Sequence, residues 1–337
     1  MQEVIQSTRP MKTTLTNGTI LGIVFLSQFV VGFIGNTYLL LLNINTLLFQ
    51  SHKKKPGDFI FTHLTLVNFM TITFIGVPEI LNSFGIRSFL DDVGCRAVLY
   101  IYRVNRSLSL CTTTFLSMFQ ACIITPNNSW WAWLKPKIST YIFPPFFFFW
   151  IMNMLIYTCV IVNSMAPNNT TTVGRTFSLT YCVGRESNTL PNAVFLGAMM
   201  ARDFLCVFLM IWTTAYMVRL LLTHRKSVQY IHRTSLCPGP SPEIKATHTI
   251  LALVICFVFF YSTNSCLTIY TSYQHNVKML ENITVFLSFC YPVICPFLLI
   301  KNHNRQIFLK CTFNSKSALI FFNCYFPNTI FFFCTAW

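Results

Sequence analysis

Residues Ile20–Phe49 read ILGIVFLSQFVVGFIGNTYLLLLNINTLLF and contain no Asp, Glu, Lys or Arg. The surrounding charge-free run extends from Lys12 to Lys53, and the stretches 59–78 and 246–277 are also free of charge. A helix needs about 20 mostly apolar residues to cross the hydrocarbon core of a bilayer, at about 1.5 Å per residue. Runs of this length therefore predict transmembrane helices.

The composition supports a chain that lies within a lipid bilayer. Hydrophobic residues make up 54% of its 337 residues, and only 10% are charged, whereas soluble domains carry about 25% charged residues. The net charge of +15 is one property of nucleic-acid-binding proteins. Here the basic residues are spread among several loops instead of forming one soluble face, so we expect no nucleic-acid partner.

Seven segments are predicted to span the membrane. They are Ile20–Phe49, Phe59–Phe84, Ala97–Thr125, Ile138–Met165, Leu190–Leu222, Ala246–Gln274 and Asn282–Ile300. Only helices and closed barrels satisfy backbone polar groups in lipid. Barrel strands would alternate apolar and polar residues over about ten positions, so continuous apolar runs favour helices. The predicted fold class is an all-α membrane protein, a bundle of seven transmembrane helices.

The basic residues predict how the bundle is oriented. Fourteen of the 24 Lys and Arg residues lie in the connections and tail on one side, and seven lie on the other. Because basic loops stay in the cytoplasm, we expect an extracellular N-terminus (1–19), a transmembrane domain (20–300) and a cytoplasmic tail (301–337). After residue 316 the tail is unusually rich in Phe. It is interpreted as a further span, an interfacial segment or an aberrant reading frame.

This orientation sorts the 14 cysteines and the glycosylation sequons. Only Cys95 and Cys182 face the oxidising exterior, which predicts a disulfide between the third span and the second outer loop. The alternative is two unrelated thiols. Sequons at Asn17, Asn168 and Asn169 are on the outer side and clear of the bilayer, so they are predicted glycosylation sites.

Ionisable residues inside a span are candidate functional residues, because lipid makes a charge costly. Arg103 and Arg106 are three residues apart, so they share a face of the third helix, about 12 and 16 Å below Cys95. Glu79 is predicted at a comparable depth, and Tyr102 adjoins the pair. We expect these four residues to contact an anionic or strongly polar ligand. An internal ion-pair network is the alternative.

Two further features of the spans have structural interpretations. Arg202 and Asp203 are adjacent and are interpreted as a local structural pair that contacts neighbouring helices. Prolines within the predicted helices should kink them; these are Pro78, Pro144, Pro145, Pro292 and Pro296.

Motifs of metal-dependent, nucleophilic or phosphate-binding enzymes are not found in the sequence. We therefore expect no catalytic residues, metal or cofactor.

Several strings resemble the vomeronasal type-1 (pheromone) receptor family. They are HKKKPGDFIFTHLTLVNFM (His52–Met70), GCRAVLYIYRVNRSLSLCTT (Gly94–Thr113), LSMFQACIITPNNSWWAWLKPK (Leu116–Lys137) and HRKSVQYIHRTSLCPGPSPE (His224–Glu243). The resemblance covers about Ile20 to Arg305. It departs from most rhodopsin-like receptors at Gln120, where they carry the Asp of the Asp-Arg-Tyr motif.

The resemblance implies a G-protein-coupled chemosensory receptor in the plasma membrane of sensory neurons. Its implied partners are a small pheromone-like molecule and a heterotrimeric G protein of the i/o class. Basic residues of the inner surface are then expected to contact the G protein or the anionic lipid leaflet; these are Lys53, Lys54, Lys55, Arg225 and Lys226. The alternatives are a bitter-taste-type receptor and, from another class, a transporter or channel.

Overall fold

The computed structural model describes residues 3–49, 56–86, 90–126, 129, 133–165, 175–179, 182–185, 190–231, 242–273 and 278–311. The helices in this part of the chain are α1 (Glu3–Phe49), α2 (Pro56–Ser83), α3 (Asp92–Ile124), α4 (Leu134–Thr140), α5 (Phe143–Asn163), α6 (Leu190–Ile231), α7 (Pro242–Tyr273) and α8 (Lys278–Cys311). All except the seven-residue α4 belong to one bundle.

The seven predicted spans are present. Among the described residues, six helices are long and apolar enough to cross a membrane, and α5 is a shorter apolar helix. Its 21 residues reach about 32 Å, which matches a hydrocarbon core of about 30 Å. Large apolar side chains such as Phe147, Leu155 and Phe204 point outward from the bundle, where a soluble protein would place polar ones. The prediction of a seven-helix membrane bundle is confirmed.

The prediction for the fourth span was wrong at its inner end. The sequence pattern predicted one helix from Ile138, whereas α4 ends at Thr140 and a new helix begins at Phe143. Pro144 and Pro145 explain the break, because a proline fits the first turn of a helix but removes a hydrogen bond anywhere further along it. These two prolines therefore start α5 and do not kink it. Pro78 lies inside α2, and Pro292 and Pro296 lie inside α8, as predicted.

A small antiparallel sheet follows α5 and was missed by the all-helical prediction. Its strands are β1 (Ser164–Met165), β2 (Arg175–Leu179) and β3 (Cys182–Arg185), in the order β1-β3-β2. Strands of two to five residues leave little periodic signal in a sequence. Cys182 begins β3 and forms the predicted disulfide with Cys95, near the start of α3.

Helix α3 occupies the centre of the bundle. It begins where the Asp91 side chain caps it, accepting a 2.7 Å hydrogen bond from the Gly94 backbone nitrogen. Its packing partners include α2, α5, α6 and α7. Serine and threonine side chains line its length and are buried, because they satisfy their hydrogen bonds inside the bundle and not in lipid; they include Ser107, Ser109, Thr112, Thr113 and Ser117. This central helix carries the arginines considered next.

Candidate functional site

Arg106 is the centre of a polar cluster that joins α3 to α8. Its Nη1 donates hydrogen bonds to the Tyr102 hydroxyl at 3.1 Å and to Ser288 Oγ at 3.3 Å. Tyr102 lies one helical turn from Arg106, so both side chains leave the same face of α3. The Tyr102 hydroxyl in turn donates toward Ser288 Oγ at 3.4 Å. Ser288 is thereby the α8 residue that receives both α3 side chains.

Helix α7 completes the cluster with Asn264 and Tyr261. When the Asn264 amide oxygen faces Arg106, it accepts hydrogen bonds from Nη1 at 2.7 Å and Nη2 at 3.1 Å. The same amide group lies 2.6 Å from Ser288 Oγ. The Arg106 guanidinium also lies over the Tyr261 ring, 5.1 Å from its centroid, as a cation–π contact. Three helices thus contact one partly buried cation.

A cavity opens beside this cluster, between α2, α3, α7 and α8. Its polar lining includes Arg106, Tyr102, Asn264 and Ser288, and aromatic and aliphatic side chains form the other walls. The remaining lining residues are Asn68, Thr71, Ser109, Phe257, Phe260, Tyr261, Leu287, Tyr291 and Pro292. Its polar groups converge on a largely apolar space, as in many small-molecule sites. Its volume is about 30 Å³, whereas such sites usually measure roughly 300–1,000 Å³, so the lining side chains must move apart to admit a ligand.

Arg202 and Asp203 form a second cluster, at the contact of α5, α6 and α7. Arg202 Nε donates to Asp203 Oδ1 at 2.9 Å, and the two residues are an ion pair. Arg202 also donates to Asn153 Oδ1 at 2.6 Å and to the Tyr157 hydroxyl at 3.0 Å, both on α5. Tyr261 donates to Asp203 Oδ2 at 2.7 Å. The predicted local pair is confirmed, and it contacts two neighbouring helices.

Only two of the four predicted ligand-contacting residues lie at the cavity. Tyr102 and Arg106 line the cavity, whereas Arg103 and Glu79 do not. The Glu79 side chain is buried on α2, 3% exposed, and its Oε1 has no hydrogen-bond partner among the described residues. Asn264, Ser288 and Tyr261 were missed by the sequence reasoning. They are uncharged residues in apolar spans, so their only sequence signal was a polar group at membrane depth.

Other predicted sites lie outside the described side chains. Asn168 and Asn169 and the three lysines Lys53, Lys54 and Lys55 fall outside the described residues. For Asn17, Arg225 and Lys226 the helical backbone is described, but the side chains are not. The Phe-rich segment after residue 316 also lies outside the described part. Glycosylation and the contacts of the basic inner surface stay predictions.

Comparison with known proteins finds one family. A family model described as the vomeronasal organ pheromone receptor family matches residues 19–312. Vomeronasal type-1 receptor 3 of Homo sapiens is 32% identical over 287 residues, covering 85% of this chain and 91% of the relative. Vomeronasal type-1 receptor 4 of Pongo pygmaeus is 34% identical over 275 residues, covering 81% of this chain and 91% of the relative.

A further relative and a solved structure are also similar over most of the chain. Olfactory receptor class A-like protein 1 of Danio rerio is 32% identical over 289 residues, covering 85% of this chain and 90% of the relative. The crystal structure of squid rhodopsin superposes with a TM-score of 0.65 at 13% identity, covering 90% of this chain and 89% of that chain. At that identity the likeness describes the fold alone.

Proposed function

The chain belongs to the vomeronasal organ pheromone receptor family, and from this premise we propose that it binds a pheromone-like small molecule in the cavity around Arg106. Family and fold make it a chemosensory G-protein-coupled receptor, a multi-pass protein of the plasma membrane. Its relatives are receptors and not enzymes.

The observation that carries the proposed site is the convergence of three helices on Arg106. A ligand group that bonds to Arg106 competes with Tyr102 on α3, Asn264 on α7 and Ser288 on α8. Binding there changes contacts among all three helices at once. A ligand that binds one packing of these helices more tightly shifts the population toward that packing. This is the physical requirement for a receptor that signals across the membrane.

The orientation proposed from the basic residues gives the ligand a route from outside. With the N-terminus extracellular, the Cys95–Cys182 disulfide lies at the outer end of α3. It ties the small sheet to that helix end, and the ligand enters beneath this tethered segment. Glycans at Asn17 and at Asn168 or Asn169 then lie on the same outer side as the entry route.

At the inner side, we assign G-protein contact to the basic surface that includes Lys53, Lys54, Lys55, Arg225 and Lys226. The i/o class of G protein and the location in chemosensory neurons are supported by the family resemblance. The same basic side chains also attract the anionic lipid leaflet. Exchanging them for Gln removes charge at the inner side only, so it tests G-protein coupling separately from ligand binding.

The proposal is tested by expressing the receptor with an i/o-class G protein and applying a panel of volatile and steroid-like molecules. We expect a response that pertussis toxin abolishes. Arg106→Gln should lower the potency of any active molecule by roughly tenfold or more, since a charge-assisted hydrogen bond is lost. Arg103→Gln is the matched control, because Arg103 lies on the same helix but not in the cavity.

Two outcomes would contradict the proposal. If Arg103→Gln lowered potency as much as Arg106→Gln at equal surface expression, the ligand would not be centred on the Arg106 cavity. A response insensitive to pertussis toxin would contradict coupling to the i/o class while leaving the cavity assignment intact.

A further inference from the structure

Two buried free cysteines face each other where α3 packs against α6. Cys111 on α3 is 2% exposed and Cys206 on α6 is 9% exposed, and both belong to one hydrophobic core. Their thiols form a hydrogen bond with each other. A buried free cysteine usually acts as a small apolar side chain. Two sulfurs in contact across a helix interface can in addition react with each other.

A second polar contact shows that the two helices stay close along this interface. About two turns further along both helices, Ser117 Oγ on α3 and Thr213 Oγ1 on α6 lie 3.0 Å apart. Ser117 follows Cys111 by six residues, and Thr213 follows Cys206 by seven. The helices therefore run parallel through both contacts, and the meeting of the two sulfurs follows from the packing of the backbones.

Neighbouring polar groups orient the two sulfurs. The Asn153 amide of α5 donates a hydrogen bond to Cys111 Sγ at 3.7 Å, and Arg202 in turn donates to Asn153 Oδ1 at 2.6 Å. Thr114 forms a side-chain hydrogen bond with Cys206. Two groups that are already held in contact react far faster than free ones, because no entropy is lost in bringing them together. The pair is thus preorganised for a reaction between its sulfurs.

We propose that Cys111 and Cys206 are a redox-sensitive modification site, which a peroxide oxidises to a disulfide between α3 and α6. Hydrogen peroxide is small and uncharged, so a bundle in lipid excludes it less than it excludes a charged oxidant. The thiol pair is separate from the ligand cavity, because neither cysteine lines that cavity.

Two steps form the disulfide. The sulfur of Cys206, the more exposed of the two, attacks one oxygen of the peroxide. The O–O bond breaks, the sulfur becomes a sulfenic acid, and the other oxygen leaves as water with the thiol proton. The Cys111 sulfur then attacks the sulfenic sulfur, so the S–S bond forms, the S–O bond breaks, and the hydroxyl leaves as water with the second thiol proton. Each sulfur loses one electron, the peroxide gains two, and a dithiol reverses the oxidation.

The disulfide fixes the packing of α3 against α6. A ligand acts on the receptor by shifting the population between two packings of the helices. A receptor held in one packing therefore responds less to its ligand. This effect on signalling rests on the proposed function, whereas formation of the disulfide does not.

The test uses the full-length receptor, purified in detergent and treated with hydrogen peroxide. Free thiols are then alkylated with N-ethylmaleimide, and the digest is analysed by mass spectrometry without reduction. We expect peptides linked through Cys111 and Cys206, which separate after treatment with dithiothreitol. The crosslinked receptor should also unfold at a higher temperature than the untreated receptor. The proposal fails if no link between these two cysteines forms in receptor that remains folded.

Variants separate this pair from the other thiols. Cys111→Ser and Cys206→Ser should each abolish both the linked peptides and the rise in unfolding temperature, and Cys111→Ala replaces a Ser variant that does not fold. Cys122→Ser is the matched control and should keep both, because Cys122 is another buried free thiol of α3. A rise in unfolding temperature that survives in folded Cys206→Ser would come from oxidation elsewhere and would overturn the assignment.

Measurements in cells separate the disulfide from its effect on signalling. For a molecule that activates the wild-type receptor, brief peroxide treatment should lower the maximal response of the wild type and leave that of Cys206→Ser unchanged. Linked peptides together with an unchanged wild-type response would support the disulfide and overturn its effect on signalling. If no molecule activates the receptor, the proposed function fails, and the linked peptides still decide whether the disulfide forms.

Discussion

The Tyr261 hydroxyl donates a 2.7 Å hydrogen bond to Asp203 Oδ2 and thereby joins α7 to α6. The ring of the same tyrosine lies under the Arg106 guanidinium of α3. Tyr261 consequently stands between the cavity cluster and the Arg202–Asp203 ion pair, and it contacts both. A ligand that displaces Arg106 therefore also changes the contacts of Tyr261, the side chain that joins α6 to α7.

Removing the Tyr261 hydroxyl should weaken this connection. Tyr261→Phe keeps the ring under Arg106 but leaves Asp203 Oδ2 without its donor. We expect a loss of about 1–3 kcal/mol, as for other hydrogen bonds to a charged group, seen as a lower unfolding temperature in detergent. Tyr216→Phe is the control, since its hydroxyl makes a longer 3.2 Å contact with the neutral Thr125 hydroxyl. If the two variants lowered the unfolding temperature equally, the Tyr261–Asp203 bond would stabilise the receptor no more than a hydrogen bond between two neutral hydroxyls.

The Arg202–Asp203 ion pair should depend on both partners. Arg202→Met leaves a carboxylate without its cation in the bundle, and breaking a buried pair in this way costs about 3–5 kcal/mol. We expect a large drop in the fraction of receptor at the cell surface. The double variant Arg202→Met/Asp203→Leu removes both charges and should recover part of that loss, because no unpaired charge remains. A double variant less stable than Arg202→Met alone would be evidence against this account.

Replacing either cysteine of the Cys95–Cys182 disulfide should have the same effect as replacing both. The disulfide closes a loop whose ends are 87 residues apart in sequence, and such crosslinks stabilise by about 2–4 kcal/mol. Cys95→Ser, Cys182→Ser and the double variant should therefore lower the unfolding temperature by the same amount. Additive losses would show that each cysteine stabilises the protein by separate contacts. Cys266→Ser is the control, because Cys266 is a free and exposed thiol.

Two glycines should respond to alanine in opposite directions. A Cβ on Gly76 would lie 2.6 Å from Phe29 Cδ2 and 3.2 Å from Phe289 Cε1, so the rings of α1 and α8 must move. Overpacking of this kind costs about 1–3 kcal/mol. Gly197 has no atom within 4 Å of its Cβ position among the described residues, and Ala there should stabilise α6 by up to about 1 kcal/mol. The unfolding temperature of each variant measures its effect. An unchanged unfolding temperature for Gly76→Ala would show that the two rings move without a cost in free energy.

The sequence by itself determined the number of spans, the disulfide and the Arg202–Asp203 pair. Each follows from a strong and local rule. Lipid excludes charge over about 20 residues at a time, and only two cysteines were predicted on the oxidising side. The Arg202–Asp203 partners are neighbours in the chain, so their pairing required no knowledge of helix packing. The start of α5 was mispredicted, although Pro144 and Pro145 carried the signal for it.

Tertiary structure alone decided which polar residues meet at Arg106. Glu79 and Arg103 are charged and were expected there, yet the cavity is completed by Asn264 and Ser288 from α7 and α8. A sequence gives the depth of a residue along its helix, at about 1.5 Å per position. It does not give the rotation of that helix about its axis relative to six others, which the packing of side chains such as Phe29 and Phe289 against Gly76 sets. The sequence predicted a comparable depth for Glu79 and Arg106, whereas only Arg106 lines the cavity.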